Sequence, residues 1–407
     1  MRGNGDSWRK YRWHWKCAEK TVLTEKLIHY FRQIPDYRCG REKRHDLGEM
    51  LVCVTLGFLC GRTTIRRSLK WCKTHLEELR KHMNLKYGIA SPSTITRMLN
   101  GIDEELALYA FMEWIGEIVE SRNTHLAIDG KALCGATEKT KGETTPMLLN
   151  VVETVRGLIL AQLPVDSKTN EITAIPELLK LLDISGSIVT IDAVGTQTAI
   201  MEQIHEQGGH FVLTVKKNQP EAYEEIHTFM DKLGAEDLKR KKGEAMDPGM
   251  KEFLEKYEEI SQMEKNRDRN EYRTCQICKD ASNLTKSQKE WPHVQSIGRI
   301  KQVRIPKEKD SQGNDVTPSK EEFLEKGSGR IPAPSAGEGA GKDVQCTALI
   351  SDLILTAEEL GSIKRMHWSI ENRLHHVLDD TFREDRSPAK KSRNNLSLIR
   401  KYAYNIL

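Results

Sequence analysis

An α/β fold preceded by an all-helical segment is what this sequence predicts, and three observations predict it. Between residues 20 and 122 apolar side chains recur at helical spacing. From about residue 124 the period changes, and short apolar runs that read as buried strands alternate with amphipathic helices. Two of those runs, Leu126-Ala-Ile-Asp-Gly-Lys131 and Ile188-Val-Thr-Ile-Asp192, lead into an aspartate, and open α/β sheets gather function at strand ends.

In the helical part, Leu23, Leu27, Ile28 and Phe31 keep one face until Pro35 stops the segment. A second helix opens at Asp46, with Glu49 at capping-box spacing and Leu47, Met50, Leu51, Val54 and Phe58 on one face. A basic segment, Ile65-Arg-Arg-Ser-Leu-Lys-Trp71, precedes Ser91-Pro-Ser-Thr-Ile-Thr-Arg-Met-Leu99, where Ser93 is placed to cap a short helix. An amphipathic helix over 104–120 follows. A short, hydroxyl-rich capped helix in a compact helical domain fits a helix-turn-helix-like DNA reader, and it fits a packing or dimerisation module equally well.

After residue 124 the expected order is a strand at Leu126–Asp129, a hairpin of 148–155 and 158–164 around Arg156-Gly157, a helix over 171–182, and a strand over 187–192. A helix over 197–207 ends at Gly208-Gly209, and His210–Lys216 is the next strand. This β-ββ-α-β-α-β order is that of a ribonuclease-H-like core. Residues from about 220 to 345 interrupt it, with charged helical segments over 221–233 and 251–265 and strand-like pieces over 271–277 and 294–305. The stretch 306–341, rich in Gly, Pro, Ser, Lys and Glu, reads as a long loop or hairpin. Leu349–Leu355 returns as a strand, and Thr356, with Glu359 three residues on, caps a final helix carrying His367-Trp-Ser-Ile-Glu-Asn-Arg373.

The bulk numbers bound the partners. At 407 residues the chain has room for two or three domains of roughly 150 residues each. Its 38% hydrophobic and 30% charged content supports packed cores, and the net charge of +4 by itself names no partner. The distribution says more: 1–16 carries Arg2, Arg9, Lys10, Arg12 and Lys16 among aromatics against Asp6 alone. Residues 383–401 carry seven further cations against two acids, so both tracts suit phosphate contacts or a solvated basic face. No apolar run approaches the roughly 20 residues of a membrane helix. The charged, aromatic start lacks a signal-peptide core, and nine scattered cysteines fit a reducing cytoplasm. Cys275-Gln-Ile-Cys278 makes half of a zinc site only if His293 and Cys346 complete it. In a strand, however, Cys275 and Cys278 point to opposite faces.

Three carboxylates stand out. Asp129 precedes Gly130, which permits close approach, and Lys131, a phosphate-neutralising cation. Asp192 precedes Gly195-Thr-Gln197 at a strand-to-helix junction, where helix amides favour anions. Glu371 sits at the edge of the apolar stripe Ile363, Ile370, Leu374 and Val377. His367, Glu371 and His375 also form an i, i+4, i+8 row, without the HExxH spacing of zinc hydrolases. Two strand-borne aspartates and a helix-borne glutamate are a set of hard oxygen ligands suited to two-metal phosphoryl transfer.

The segments Ala127-Ile-Asp-Gly-Lys131, Lys168–Leu179, Thr190-Ile-Asp-Ala-Val-Gly-Thr-Gln197, Lys216-Lys-Asn-Gln219 and His367–His375 resemble the DDE transposases of bacterial insertion sequences, in the ISAs-type, H-repeat-associated branch. Ile34-Pro-Asp-Tyr-Arg38 and Ser91-Pro-Ser-Thr94 resemble that group's helical N-terminal domain. The resemblance implies a basic aromatic extension over 1–22, a helical domain over 23–122 for DNA binding or dimerisation, and a ribonuclease-H-like catalytic domain over 123–407 with its insertion. It implies that Asp129, Asp192 and Glu371 are catalytic and bind two Mg²⁺ or Mn²⁺ ions about 4 Å apart. Lys131, Gln197, Lys216, Asn218, Arg365, His367, Trp368 and Asn372 would bind DNA.

The implied partners are terminal inverted repeats, target DNA and further copies of the chain, in a bacterial cytoplasm at the nucleoid and without a membrane. Two other readings stay open: a repurposed DNA-binding protein of transposase origin, and a metal-dependent nuclease without strand transfer. Cys134, His376 and Asp380 stand where the family usually carries Arg, Trp and an apolar residue. The 306–341 insert is longer than the family pattern, and relatives are expected to run beyond Leu407.

Overall fold

The computed structural model describes residues 17–136, 145–165, 170–265, 269–284, 291–306, 308–309, 315–316 and 344–407. The basic aromatic stretch 1–16, Lys168 and most of 306–341 lie outside the described residues. The helical part comprises α1 (Cys17–Gln33), α2 (Leu47–Leu59), α3 (Ile65–Thr74), α4 (Leu76–Leu79), α5 (Pro92–Gly101) and α6 (Glu104–Gly116). Helix α1 stops just before Pro35, and Asp46 caps α2 by accepting from the Glu49 N–H at 2.8 Å.

Two local expectations change. Glu49 does not close a capping box; its buried carboxylate accepts the N–H groups of Asn84 and Leu85, at 2.9 and 3.2 Å. Those orphan donors of a distant turn outcompete the helix's own first N–H. Ser91 rather than Ser93 caps α5, accepting from Thr94 N at 3.2 Å. Pro92 then takes the first helical position, where its missing N–H costs nothing.

The remainder is a mixed nine-stranded sheet with helices packed against it. In chain order come β1 (His125–Ala132), β2 (Met147–Glu153), β3 (Leu158–Val165), α7 (Glu171–Lys180), β4 (Ile188–Ile191), α8 (Thr198–Glu206), β5 (His210–Val215), α9 (Pro220–Lys242) and α10 (Lys251–Glu255). Then follow β6 (Tyr257–Lys265), β7 (Arg269–Cys278), β8 (Ser296–Pro306), β9 (Glu308–Lys309), β10 (Asp315–Val316), β11 (Val344–Ser351), α11 (Ala357–Ile370) and α12 (Arg393–Ile406). The strand order is β3-β2-β1-β4-β5-β11-β8-β7-β6, with β9 and β10 forming a separate pair. Strands β1, β4 and β5 are mutually parallel, and every other pairing is antiparallel. That is why Leu126-Ala-Ile, Val189-Thr-Ile and Phe211-Val-Leu-Thr-Val are continuous buried runs: parallel strands are covered on both faces.

The interruption is not a separate body. Strands β6, β7 and β8 extend the same sheet beyond β11. Residues 257–265, expected to be helical, are its edge strand. Their Glu, Gln and Lys content favours helix, but pairing with β7 and the ion pairs Glu264–Arg273 and Glu258–Lys279 override that propensity. A charged edge also discourages pairing with other chains.

Helix α12 joins the two parts. Tyr402, fully buried, meets the rings of Phe31, Trp114 and Phe111 at 4.6, 4.7 and 4.8 Å. On its other side the fully buried Lys401 donates to Asn150 and Gln162 on β2 and β3. Helical segment and sheet therefore share one apolar core.

Candidate active site

Asp129 lies midway along β1, opposite Asn150 of β2, and is half-buried. Asp192 follows the last residue of β4 and leads into a single helical turn at Ala193–Gly195. Glu371 comes directly after α11, where the helix widens to π-helical turns over Glu371–His375 and Val377–Thr381. Such turns shift side chains off the regular helical stripe and recur at functional sites. The capping box of Thr356 and Glu359 fixes the start of α11, as its spacing predicts.

The structure gathers Asp129, Glu371 and His375 with ligand atoms all within 4.8 Å of one another. His375 Nδ1 stands 3.7 Å from Asp129 and 3.5 Å from Glu371. Burial first, then the charges of Glu371, Asp192 and Glu171, push the Asp129 carboxyl up to about 7. Asp192 behaves oppositely. Burial would raise it, yet the Lys216 ammonium, bonded at 2.6 Å, holds it below the usual carboxylate range. Burial and the charge of Asp192 together raise Glu171, a fourth acid on the first turn of α7. A Cβ at Gly130 would come within 2.5 Å of the Glu171 carboxylate, so this glycine admits an acid where the sequence suggested a ligand.

The remaining sequence candidates separate into groups. Lys216 and Asn218 reach the site: the first grips Asp192, and the second donates to Ala193 O at 3.0 Å beneath it. Gln197 precedes α8 with its amide near Val194 O, and Asn372 is exposed beside Glu371. Lys131 turns inward to Asp379 at 2.5 Å and Asp385 at 3.5 Å. Burial alone would lower its ammonium, but those acids hold it above its ordinary value.

His367 also points inward. Its Nδ1 pairs with Thr190 Oγ1 at 3.0 Å, and Thr190 in turn meets His125 at 3.1 Å. Burial drives His367 down to about 3, so a neutral imidazole pins α11 onto β4. Arg365 bonds Gln262 and pairs with Glu264. With Trp368 it lines a cavity of about 530 Å³ beside α11 that contains none of the three carboxylates. Cys275 faces Gly361 on α11 while the Cys278 thiol faces Phe253 O, on opposite sides of β7 as alternation requires.

Sequence reasoning missed Lys364 and Glu171 and gave His375 only a place in a row. Lys364, two turns before Glu371 on the same helix, donates to Thr214 Oγ1 at 2.8 Å. Burial lowers its ammonium to about 8, against the pull of Asp192 and Asp129. Its i, i+7 relation to Glu371 was the available signal.

Two partly buried aspartates on neighbouring strands, an exposed glutamate after α11, two cations and a histidine offer hard oxygen donors and one imidazole, chemistry that fits a divalent cation. The "Transposase DDE domain" family model matches residues 120–406, and the "DDE_Tnp_1-associated" model matches 28–115. The "H repeat-associated putative transposase YhhI" of Escherichia coli (strain K12) is 28% identical over 388 residues, covering 94% of this chain and 90% of that one. YbfL of the same organism matches at the same identity and coverage. An uncharacterised protein of Xanthobacter autotrophicus is 34% identical over 209 residues, half of this chain and 69% of that one. Among solved structures, a piggyBac transposase synaptic complex with hairpin DNA aligns over 95% of this chain and 74% of that one, at 11% identity and a TM-score of 0.38. No helix among the described residues is long and apolar enough to cross a membrane.

Proposed function

The chain belongs to the transposase DDE-domain family, and from that premise we propose that it is a metal-dependent DNA transposase that cleaves the ends of an insertion sequence and joins them to target DNA. One observation carries the reading: Asp129, Asp192 and Glu371 come from a strand, a strand end and a helix, and Asp129 is held near 7 by burial and its acidic neighbours. Clustered acids that repel one another are stabilised by a cation in place of a proton. The strand order β3-β2-β1-β4-β5, with the last three parallel, supports a ribonuclease-H-like core. In this reading residues 23–122 form a helical domain, and about 220–345 form an insertion.

Asp129, Asp192 and Glu371 would hold Mg²⁺ or Mn²⁺, with His375 close enough to orient Glu371. When bound, such ions activate water or a DNA 3′-hydroxyl and neutralise the leaving oxygen. The chain's own residues prepare that site. Lys216 keeps Asp192 ionised, His367 fixes the helix bearing Glu371, and Lys364 sets a positive charge beneath the acids to offset an incoming phosphate. Lys216, Asn218, Gln197, Asn372, Arg365 and Trp368 remain the proposed DNA contacts, whereas Lys131 and His367 would act through the fold. An element has two ends, so a homodimer or higher assembly at the bacterial nucleoid completes the proposal.

The test is Mg²⁺-dependent cleavage of DNA carrying the inverted repeats that flank the gene. Cleavage followed by joined products is expected, and cleaved DNA that never joins indicates a nuclease. If Asp192→Ala left cleavage untouched, the triad assignment would be wrong.

A further inference from the structure

Helix α3 carries a charged face that the catalytic reading does not use. Arg66, Lys70 and Lys73 follow an i, i+4, i+7 row about 10 Å long, with Arg67 beside it and Arg62 just before the helix. All five are exposed, and among the described residues none has an ion pair or side-chain hydrogen bond. No acid occurs between Met50 and Leu76 to neutralise them, and the next two, Glu77 and Glu78, pair with Arg80 and Lys81.

The opposite face is locked. Ser68, Leu69 and Cys72 are buried, a Cβ at Gly57 would meet Ser68 Cβ at 2.2 Å, and the Cys72 thiol donates to Cys53 O at 3.2 Å. The row is therefore held rigidly outward. Helix α5 packs beside it with Ser93, Thr96 and Arg97 exposed.

We propose that the outer face of α3, flanked by α5, binds the phosphate backbone of duplex DNA. The inference rests on the DNA-processing reading and adds to it a contact surface outside the carboxylate site. Charge complementarity selects the occupant. A second copy of the chain docking by two-fold symmetry would set this face against itself, opposing like charges. A stable protein interface also wants an apolar centre, and none of the exposed large apolar side chains lies between residues 60 and 80. Phosphates need only unpaired cations and hydroxyl donors at spacings a helix supplies.

The experiment measures binding of a fluorescein-labelled random duplex of roughly 40 base pairs to the full chain in EDTA, by anisotropy, from about 50 to 200 mM salt. The triple variant Arg66→Ala/Lys70→Ala/Lys73→Ala should lower the slope of log affinity against log salt by about 3, near 0.9 per lost contact. Its circular dichroism should be unchanged, since alanine suits an exposed helix face. Lys242→Ala/Lys251→Ala, which removes two exposed lysines elsewhere, should leave the slope as it is. An unchanged slope in the triple variant overturns the inference alone. A wild-type chain that binds no duplex overturns the functional reading with it. Capture of labelled polyglutamate in preference to duplex assigns the face to an acidic protein and also overturns it.

Discussion

Asp129→Asn should stabilise the metal-free protein while it abolishes cleavage. The Asp129 carboxyl sits at about 7 in the folded chain against 3.8 in its ordinary state, because burial and the charges of Glu371, Asp192 and Glu171 oppose ionisation. Below about pH 4 both folded and unfolded chains keep the proton, and the group contributes nothing. Between about 4 and 7 the unfolded chain loses its proton while the folded chain retains it, so stability falls as pH rises. Above about 7 the deficit is complete, at roughly three units of about 1.4 kcal/mol each, or ~4 kcal/mol. The Asp129 side chain is only 22% exposed, so solvent screening trims this modestly. Asparagine keeps the shape and cannot ionise. Denaturant unfolding in EDTA should therefore show the variant more stable by up to ~4 kcal/mol at pH 8, by ~2 kcal/mol at pH 5 and by almost nothing at pH 3. Mg²⁺ should narrow the gap at pH 8, because a bound cation favours the ionised wild-type site. A variant no more stable than wild type at pH 8 in EDTA would refute the account of the site as an electrostatically stressed acid cluster.

Three further outcomes follow from the same structure. Lys401 is fully buried with its ammonium lowered to about 7, so the unfolded chain binds the extra proton and stability should rise with pH between about 7 and 10. Lys401→Met should flatten that rise in denaturant curves taken across the range. Phe382, buried where the π-helical turns end and edge-on to Phe58 at 6.3 Å, should cost ~3–5 kcal/mol on change to alanine, read as a lowered unfolding midpoint. Ser91→Ala should cost ~1 kcal/mol through the lost cap of α5, while Ser93→Ala should be nearly neutral in the same thermal scan.

Much of the fold is legible locally. The apolar runs at Leu126–Ile128, Ile188–Ile191 and Phe211–Val215 read as strands because parallel strands bury both faces, and the Asp46 cap and the Thr356/Glu359 capping box mark helix starts by side-chain reach alone. The illegible parts are those whose partners lie far away in sequence. Residues 257–265 have the composition of a helix and become an edge strand because β7 is there to pair with. Glu49 is drawn from its own helix by N–H groups thirty-five residues on.

The sequence by itself brought Asp129, Asp192 and Glu371 forward as candidates, because each lies in a distinctive segment that the transposase family model also spans. Only the tertiary structure decided what surrounds them. It brought Glu171 and Lys364 to the acids, tied Asp192 to Lys216, and turned Lys131 and His367 inward, away from any open surface. The reason is physical: a ligand's identity is set by its own chemistry and short-range backbone. Its protonation and partners depend on charges and burial contributed by strands and helices tens to hundreds of residues away.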